Sequence, residues 1–377
     1  TDAEILARLP EEARSHVVVA DLKALGYASF ETQRPYGRGE MNLGRGIREL
    51  FADGEPMTIA RWPNSGWLKT GVQTGSVTNR AFVFTDPQMN RWRHAKEAMI
   101  CGYFYHLWSD CTMPVAFGDG AITFRERLPE TGLKADHPFF VLNLLEEIDQ
   151  PGEWYYDCAS GKLYWWKPEK LSRRADVVIS QWNKPFLTLK GVNHLSISGL
   201  IYEYGQQDGI QISNGADIAL VGCMVRRIGG TALSALEMKN FKVYGNSFNT
   251  LGHAAMRIRG GDRKTLTSGK IVIENNEVFG FARRGRTYNP ALFLDGCGAR
   301  VVHNRFHHGP SSAMRIEGND HLVEYNLCDD LVTESDDQGA IDMWCNITYR
   351  GTIIRYNYWK NIGGGANIPC GQAAIRF

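Results

Sequence analysis

The sequence predicts an all-β protein: a parallel β-helix, or solenoid, with an irregular β domain inserted in its N-terminal half. Two recurring phrases and one change of texture carry that prediction. The first phrase is small–apolar–variable–apolar. It recurs as Gly209-Ile210-Gln211-Ile212, Ala232-Leu233-Ser234-Ala235, Ala255-Met256-Arg257-Ile258, Ala291-Leu292-Phe293-Leu294, Ala313-Met314-Arg315-Ile316, Ala340-Ile341-Asp342-Met343 and Ala374-Ile375-Arg376-Phe377. The second phrase ends in Asn, with an aromatic or apolar residue two places on. It spans 241–248, 271–278, 299–306, 321–328 and 352–359, with weaker copies at 195–202 and 218–225. Its sixth position falls at residues 200, 223, 246, 276, 304, 326 and 357, giving spacings of 23, 23, 30, 28, 22 and 31.

A period of roughly 20 to 30 residues, with short strands in each repeat, is the mark of a solenoid. Both phrases alternate apolar with variable residues, which is the period of a strand and not of a helix. Two or three strands per coil give a parallel β-helix, whose equivalent positions stack roughly 4.8 Å apart. The Asn column (Asn246, Asn276, Asn304, Asn326, Asn357) fits a sharp bend, because Asn tolerates the left-handed conformation and stacked amides bond along the axis. The wide spacings mark coils that carry inserted loops, where function usually sits.

Taken in order, residues 1–26 read as an edge segment leading from a β-helix start, with a strand in Val17, Val18 and Val19. Residues 27–180 change texture: short strand-like runs at 57–62, 81–85, 139–143 and 162–166 are broken by Pro, Gly and Asn. Seven of the ten Trp lie here, between Trp62 and Trp166. They form either an aromatic core or a sugar-stacking surface. Trp67, Trp92 and Trp108 are the site candidates, because polar residues surround them. Residues 181–377 are the coils. None of the eight Cys forms Cys-x-x-Cys, which argues against a zinc or redox motif. Cys223 and Cys328 read as buried packing residues, and Cys101 and Cys111 leave a disulfide open. A net charge of +1 over 377 residues argues against a nucleic-acid partner. No apolar stretch approaches the roughly 18 residues of a membrane span. The sequence is silent on oligomeric state.

Three stretches carry a resemblance. These are Pro56 to Asn64 (Pro-Met-Thr-Ile-Ala-Arg-Trp-Pro-Asn), Asn143 to Trp154 (Asn-Leu-Leu-Glu-Glu-Ile-Asp-Gln-Pro-Gly-Glu-Trp) and Ser335 to Ile341 (Ser-Asp-Asp-Gln-Gly-Ala-Ile). They resemble the right-handed parallel β-helix glycosidases, and most nearly glycoside hydrolase family 141 and its uncharacterised relatives. The resemblance runs over nearly the whole chain and implies a right-handed helix. It implies a periplasmic or extracellular hydrolase without a cofactor, acting on a plant or algal polysaccharide or its oligosaccharides. It also implies that Asp336 and Asp337 are catalytic. In the family pattern, coils precede the inserted domain and follow the Ala340 coil. An acidic partner comes directly after the strand that here reads Ala374 to Phe377. The resemblance therefore predicts a longer native chain.

Stacking the first phrase turns Ile210, Leu233, Met256, Leu292, Met314, Ile341 and Ile375 inward. The next residue of each and the one two places beyond it point outward, which gathers Arg257, Arg259, Asp295, Arg315, Glu317, Asp342 and Trp344 on one exterior face. Glycosidic cleavage needs one carboxyl group to protonate the leaving oxygen and another to attack or to activate water. Crowding helps, because mutual repulsion raises one pKa. Asp295 and Glu317 would stack about 5 Å apart in neighbouring coils. With Asp336 and Asp337 they form the catalytic candidates. Arg257, Arg315, Asp342, Trp344 and His308 are the substrate-binding candidates, the arginines for hydroxyls or an acidic group. The plainer alternatives are solvated charges on an outer face and turn-forming Asp residues. His303, His307, His308 and His321 show no metal-ligand spacing. Two competitors remain: a polysaccharide lyase on the same scaffold, and a glycan-binding β-helix that turns nothing over.

Overall fold

The computed structural model describes residues 3–27, 35–37, 48–76, 80–128, 132–172, 174–334, 337–344, 346–363 and 372–376. The chain divides into two units, residues 1–36 with 48–180 and residues 37–47 with 181–377.

The first unit is built of short strands. Val17–Asp21 pairs antiparallel with Lys162–Trp166, which pairs with Glu153–Asp157. The segment expected to lead out of a β-helix is thus the edge of an antiparallel sheet. Periodicity could not show this, since a five-residue strand looks the same in either setting. A second sheet runs in the order Arg61–Trp62, Pro138–Leu142, Met99–Gly102, Cys111–Gly118, Ala121–Phe124, Arg80–Val83, Gln73–Gly75. Its central strands are buried throughout (Met99 to Gly102, Pro138 to Leu142), as continuous apolar runs predict. Trp92 is fully buried, 5.4 Å from Trp62 and 5.0 Å from Phe117 between ring centroids, so it belongs to the core and not to a sugar surface. Cys101 faces Thr112, and Gly102 faces Cys111. The two cysteines therefore lie on opposite faces of their sheet, and both are free thiols.

The second unit is a right-handed parallel β-helix with three strands per coil. On the first face one column runs in register from Ile210 through Leu233, Met256, Leu292, Met314 and Ile341 to Ile375. Those from Ile210 to Ile341 are all 0% exposed. A second face stacks Val243, Ile273, Val301, Val323 and Ile354. A third stacks Phe248, Val278, Phe306, Cys328 and Trp359. Each fully buried aliphatic or aromatic side chain contributes about 1.5–3 kcal/mol, so the three columns supply the interior.

Between the second and third faces the Asn column forms a continuous ladder. The backbone N–H and Nδ2 of Asn246 both donate to Asn276 Oδ1 at 2.9 Å. Asn276 does the same to Asn304 (3.0 and 2.9 Å), Asn304 to Asn326 (both 3.0 Å) and Asn326 to Asn357 (both 2.9 Å). The left-handed residue at this bend is the one before each Asn: Gly245 (φ 65°), Asn275 (56°), His303 (56°), Tyr325 (56°) and Tyr356 (56°). The Asn is therefore selected for its amide and not for its tolerance of positive φ. In the later coils the left-handed positions hold rings that stack outside the helix, with centroids 5.3 Å (His303–Tyr325) and 5.2 Å (Tyr325–Tyr356) apart. Such contacts offset part of the roughly 1–2 kcal/mol cost of a left-handed L residue.

Candidate active site

The inserted loops rise along both edges of the first face. Where strands leave that face, the 30-residue spacing holds a hairpin in which Gly261 and Asp262 pair with Ser268 and Thr267. The 31-residue spacing holds the segment 343–352 at the same edge. Where strands enter the face, the 28-residue spacing holds 282–291, beside 332–334 and Asp337. The face is thus a trough with two walls, and most of the outward side chains of the first phrase form its floor.

Register places Arg257, Phe293, Arg315, Asp342 and Arg376 in one floor column. Arg259 pairs in register with Asp295. Glu317 continues that column, because its N–H donates to Leu294 O at 2.8 Å. Asp295 and Glu317 therefore stack in adjacent coils, with backbones roughly 4.8 Å apart. Each is followed by a positive-φ glycine, Gly296 (φ 111°) and Gly318 (φ 105°). A Cβ on Gly318 would lie 2.1 Å from Gly296 O, so only glycine permits the bend that holds both acids at the lip of the trough.

Below the lip runs a chain of alternating charges. Arg315 donates to Glu317 Oε1 at 2.9 Å and lies 3.7 Å from Asp342 Oδ2. Asp342 Oδ1 accepts from Arg376 Nε at 2.7 Å, and Arg376 also pairs with Asp337. Asp342 is 1% exposed. Burial pushes its pKa up, and Arg376 and Arg315 pull it back. It holds two guanidiniums in place and does not itself reach the trough. Trp344, 46% exposed, has its ring centroid 5.1 Å from the Arg376 guanidinium and 5.9 Å from that of Arg315. The exposed part of the indole is a surface on which a sugar ring can stack.

The walls contribute groups that periodicity did not reveal. Tyr288 OH donates to Asp337 Oδ2 at 3.3 Å. Burial and the Asp337 charge raise the Tyr288 pKa, so it stays a neutral donor. Arg286 pairs with Glu334 and joins the two loops of that edge. Beneath the lip, His321 Nδ1 accepts from Ala299 N–H at 3.1 Å, so its Nε2 carries the proton and donates to the Glu317 carbonyl at 3.0 Å. Burial lowers the His321 pKa, in keeping with a neutral ring. Toward the earlier coils the floor opens into a groove of about 490 Å³, lined by Asp208, Gln211, Ser234, Arg257, Asn289 and Phe293 among others.

The structure thus brings together Asp295, Glu317, Arg315, Asp342, Trp344 and Asp337, with Arg257 farther along the floor. Asp336 lies outside the described residues. His308 does not join them. It sits on the third face at a left-handed corner (φ 51°), 63% exposed, bonded through Nδ1 to His307 (2.6 Å) and 3.8 Å from Asp330. The signal for Tyr288 and Tyr349 was their place in expanded coils. The signal for the acid pair was the strand alternation that turns both residues outward in neighbouring coils.

No family model matches this chain, and no curated protein matches it. Among solved structures, one described as a glycoside hydrolase is similar at 12% identity, covering 95% of this chain and 80% of that chain, with a TM-score of 0.66. The complex of XylC with xylose aligns over 93% of this chain and 53% of that one, at 10% identity and a TM-score of 0.42. The catalytic domain of a GH87 alpha-1,3-glucanase in complex with tetrasaccharides aligns over 88% and 89%, at 10% identity and a TM-score of 0.24. The first of these likenesses is one of fold: this chain shares a parallel β-helix architecture with it.

Proposed function

We propose that this protein is a glycoside hydrolase, similar to family 141, in which Asp295 and Glu317 are the reacting carboxyl pair. The observation that supports this is their stacking at the lip of a walled trough. One carboxyl group protonates the glycosidic oxygen as the bond to the anomeric carbon breaks. The other attacks that carbon, and water then releases the sugar and restores both groups. Retaining enzymes hold their two carboxyl groups about 5–5.5 Å apart and inverting ones roughly 6.5–9.5 Å; backbones stacked roughly 4.8 Å apart allow Asp295 and Glu317 the shorter separation. Asp337 and Tyr288 flank the leaving side as hydroxyl-binding groups, and Trp344 supports a ring. The substrate class is a plant or algal polysaccharide or its oligosaccharides.

Charge balance favours hydrolysis over the lyase reading. A lyase must neutralise a uronate carboxylate. Here Arg315 and Arg376 already engage Glu317, Asp342 and Asp337, and Arg259 engages Glu237 at 2.5 Å.

The test is turnover of an aryl-glycoside and oligosaccharide panel by wild type, Asp295→Asn and Glu317→Gln. Each substitution is expected to lower kcat by about 10³-fold or more with folding intact, and azide should rescue the variant that lacks the nucleophile. Full activity in both variants would falsify this assignment. An ultraviolet-absorbing unsaturated product would establish the lyase, and binding without any turnover would establish the glycan-binding module.

A further inference from the structure

The two loops on the exit edge of the trough clasp each other beside the acid pair. Arg263, on the tip of the hairpin, donates Nε to Asn319 Oδ1 at 3.0 Å and an Nη to Thr348 Oγ1 at 2.7 Å. Asn319 Nδ2 donates to Thr348 O at 2.7 Å, and the Arg263 guanidinium lies 4.8 Å from the Tyr349 ring centroid. The hairpin thus reaches across the intervening coils to grip the 343–352 segment. Asn346 shapes that segment, its Oδ1 accepting from Thr348 N–H (3.0 Å) and Oγ1 (2.7 Å). A parallel bridge between Asn319 and Arg350, with Asp320 N–H donating to Arg350 O at 3.0 Å, sets the register. Tyr349 therefore stands one step before Asn319's partner, beside Gly318 and Glu317.

Tyr349 is half-buried there. Burial, then the charges of Glu317 and Asp295 with Arg263 opposing them, push its phenol up to about 12. Near neutrality it holds its proton and can only donate toward the carboxylates. Among the described residues the clasp is made by Arg263, Asn319 and Thr348, and Tyr349 adds a ring beneath the guanidinium and a hydroxyl toward Glu317.

We propose that Tyr349 is a positioning residue for Glu317, held in place by the Arg263 clasp, and that its hydroxyl donates to the Glu317 carboxyl group. The inference rests on Glu317 being one of the reacting pair. Its test separates the two claims. In a thermal double-mutant cycle, which needs no substrate, Tyr349→Phe should lower Tm by about 2 °C in the wild-type background and by much less in Glu317→Ala. Equal falls in both backgrounds overturn the contact. On the substrate found above, Tyr349→Phe should lower kcat by about tenfold to a hundredfold with KM nearly unchanged, and should displace one limb of the pH–rate profile. Arg263→Ala should act in the same direction, and less than additively with Tyr349→Phe. A kcat within twofold of wild type and an unmoved profile overturn the positioning role. If Asp295→Asn and Glu317→Gln are themselves fully active, the assignment of the acid pair falls, and the thermal cycle still decides the contact.

Discussion

Two columns of the same β-helix, stacked by the same backbone, behave in opposite ways. At the bend between the second and third faces, residues 246, 276, 304, 326 and 357 are all Asn, and each amide bonds the next. On the floor of the first face, residues 211, 234, 257, 293, 315, 342 and 376 are Gln, Ser, Arg, Phe, Arg, Asp and Arg. Identity along a column marks a group whose partner is its own copy one coil away. Variety along a column marks positions freed from that demand, because their side chains face solvent or one another. In a solenoid, repetition is therefore the signature of stability, and its interruption the signature of chemistry.

The largest effect that would test this contrast is on turnover. Glu317→Gln should remove about 10³-fold or more of kcat and leave Tm within about 1 °C. Asn304→Ala should do the reverse. It leaves the buried Asn276 N–H and the Ile273 carbonyl without their side-chain partners, at a cost of about 2–4 kcal/mol. A fall in Tm of about 5 °C or more, with kcat within threefold, is the expected result by calorimetry and assay. A ladder variant that lost activity without losing stability would break the distinction.

Asp342 sharpens it, because it lies in the varied column yet is as buried as the Asn ladder. Asp342→Asn should lower both quantities. It leaves Arg315 and Arg376 short of one buried counter-charge, so Tm drops by several degrees. The displaced guanidiniums should cost about tenfold in kcat/KM.

Smaller effects come from buried carboxyl groups outside the helix. Burial raises Glu147 and Glu153, in the first unit, to about 7, although Trp92 Nε1 donates to Glu147 at 2.7 Å. A carboxyl group whose folded pKa exceeds its unfolded value stabilises the fold below the unfolded pKa, near 4.5. That contribution fades as pH rises through about 7. The protein should therefore melt at lower temperature at pH 8 than at pH 5, and Glu147→Gln should flatten part of that slope in a pH series of melting curves. An equal slope in the variant would show that Glu147 is ionised throughout. The smallest expected effect is that of His308→Ala, on the third face: kcat and KM within about twofold of wild type.

Much of this was legible in the residues. Spacings of 23, 23, 30, 28, 22 and 31 reveal the coils and name the ones with loops. Alternation in Ala291-Leu292-Phe293-Leu294 and its copies reveals which side chains point inward. His308 was misplaced because it lies on a third-face strand, and distance in sequence from the Asp337 loop says nothing about which face a residue occupies. Val17–Asp21 was legible as a strand, but its partner strand, Lys162–Trp166, lies more than a hundred residues away and was not.

What the sequence alone determined about this protein is the set of columns: the core of Ile210, Leu233 and Met256, the Asn ladder, and the outward row that contains Arg315 and Asp342. Strand alternation and the coil period are local properties, and stacking copies them from coil to coil without further information. Only the tertiary structure decided how the row is used. It buries Asp342 between Arg315 and Arg376, stands Asp295 and Glu317 on a glycine-bent lip, and brings Tyr288 and Tyr349 in from opposite edges. Those contacts join side chains from different coils and from loops without periodicity. Their geometry depends on where long side chains end, and no repeat in the sequence encodes that.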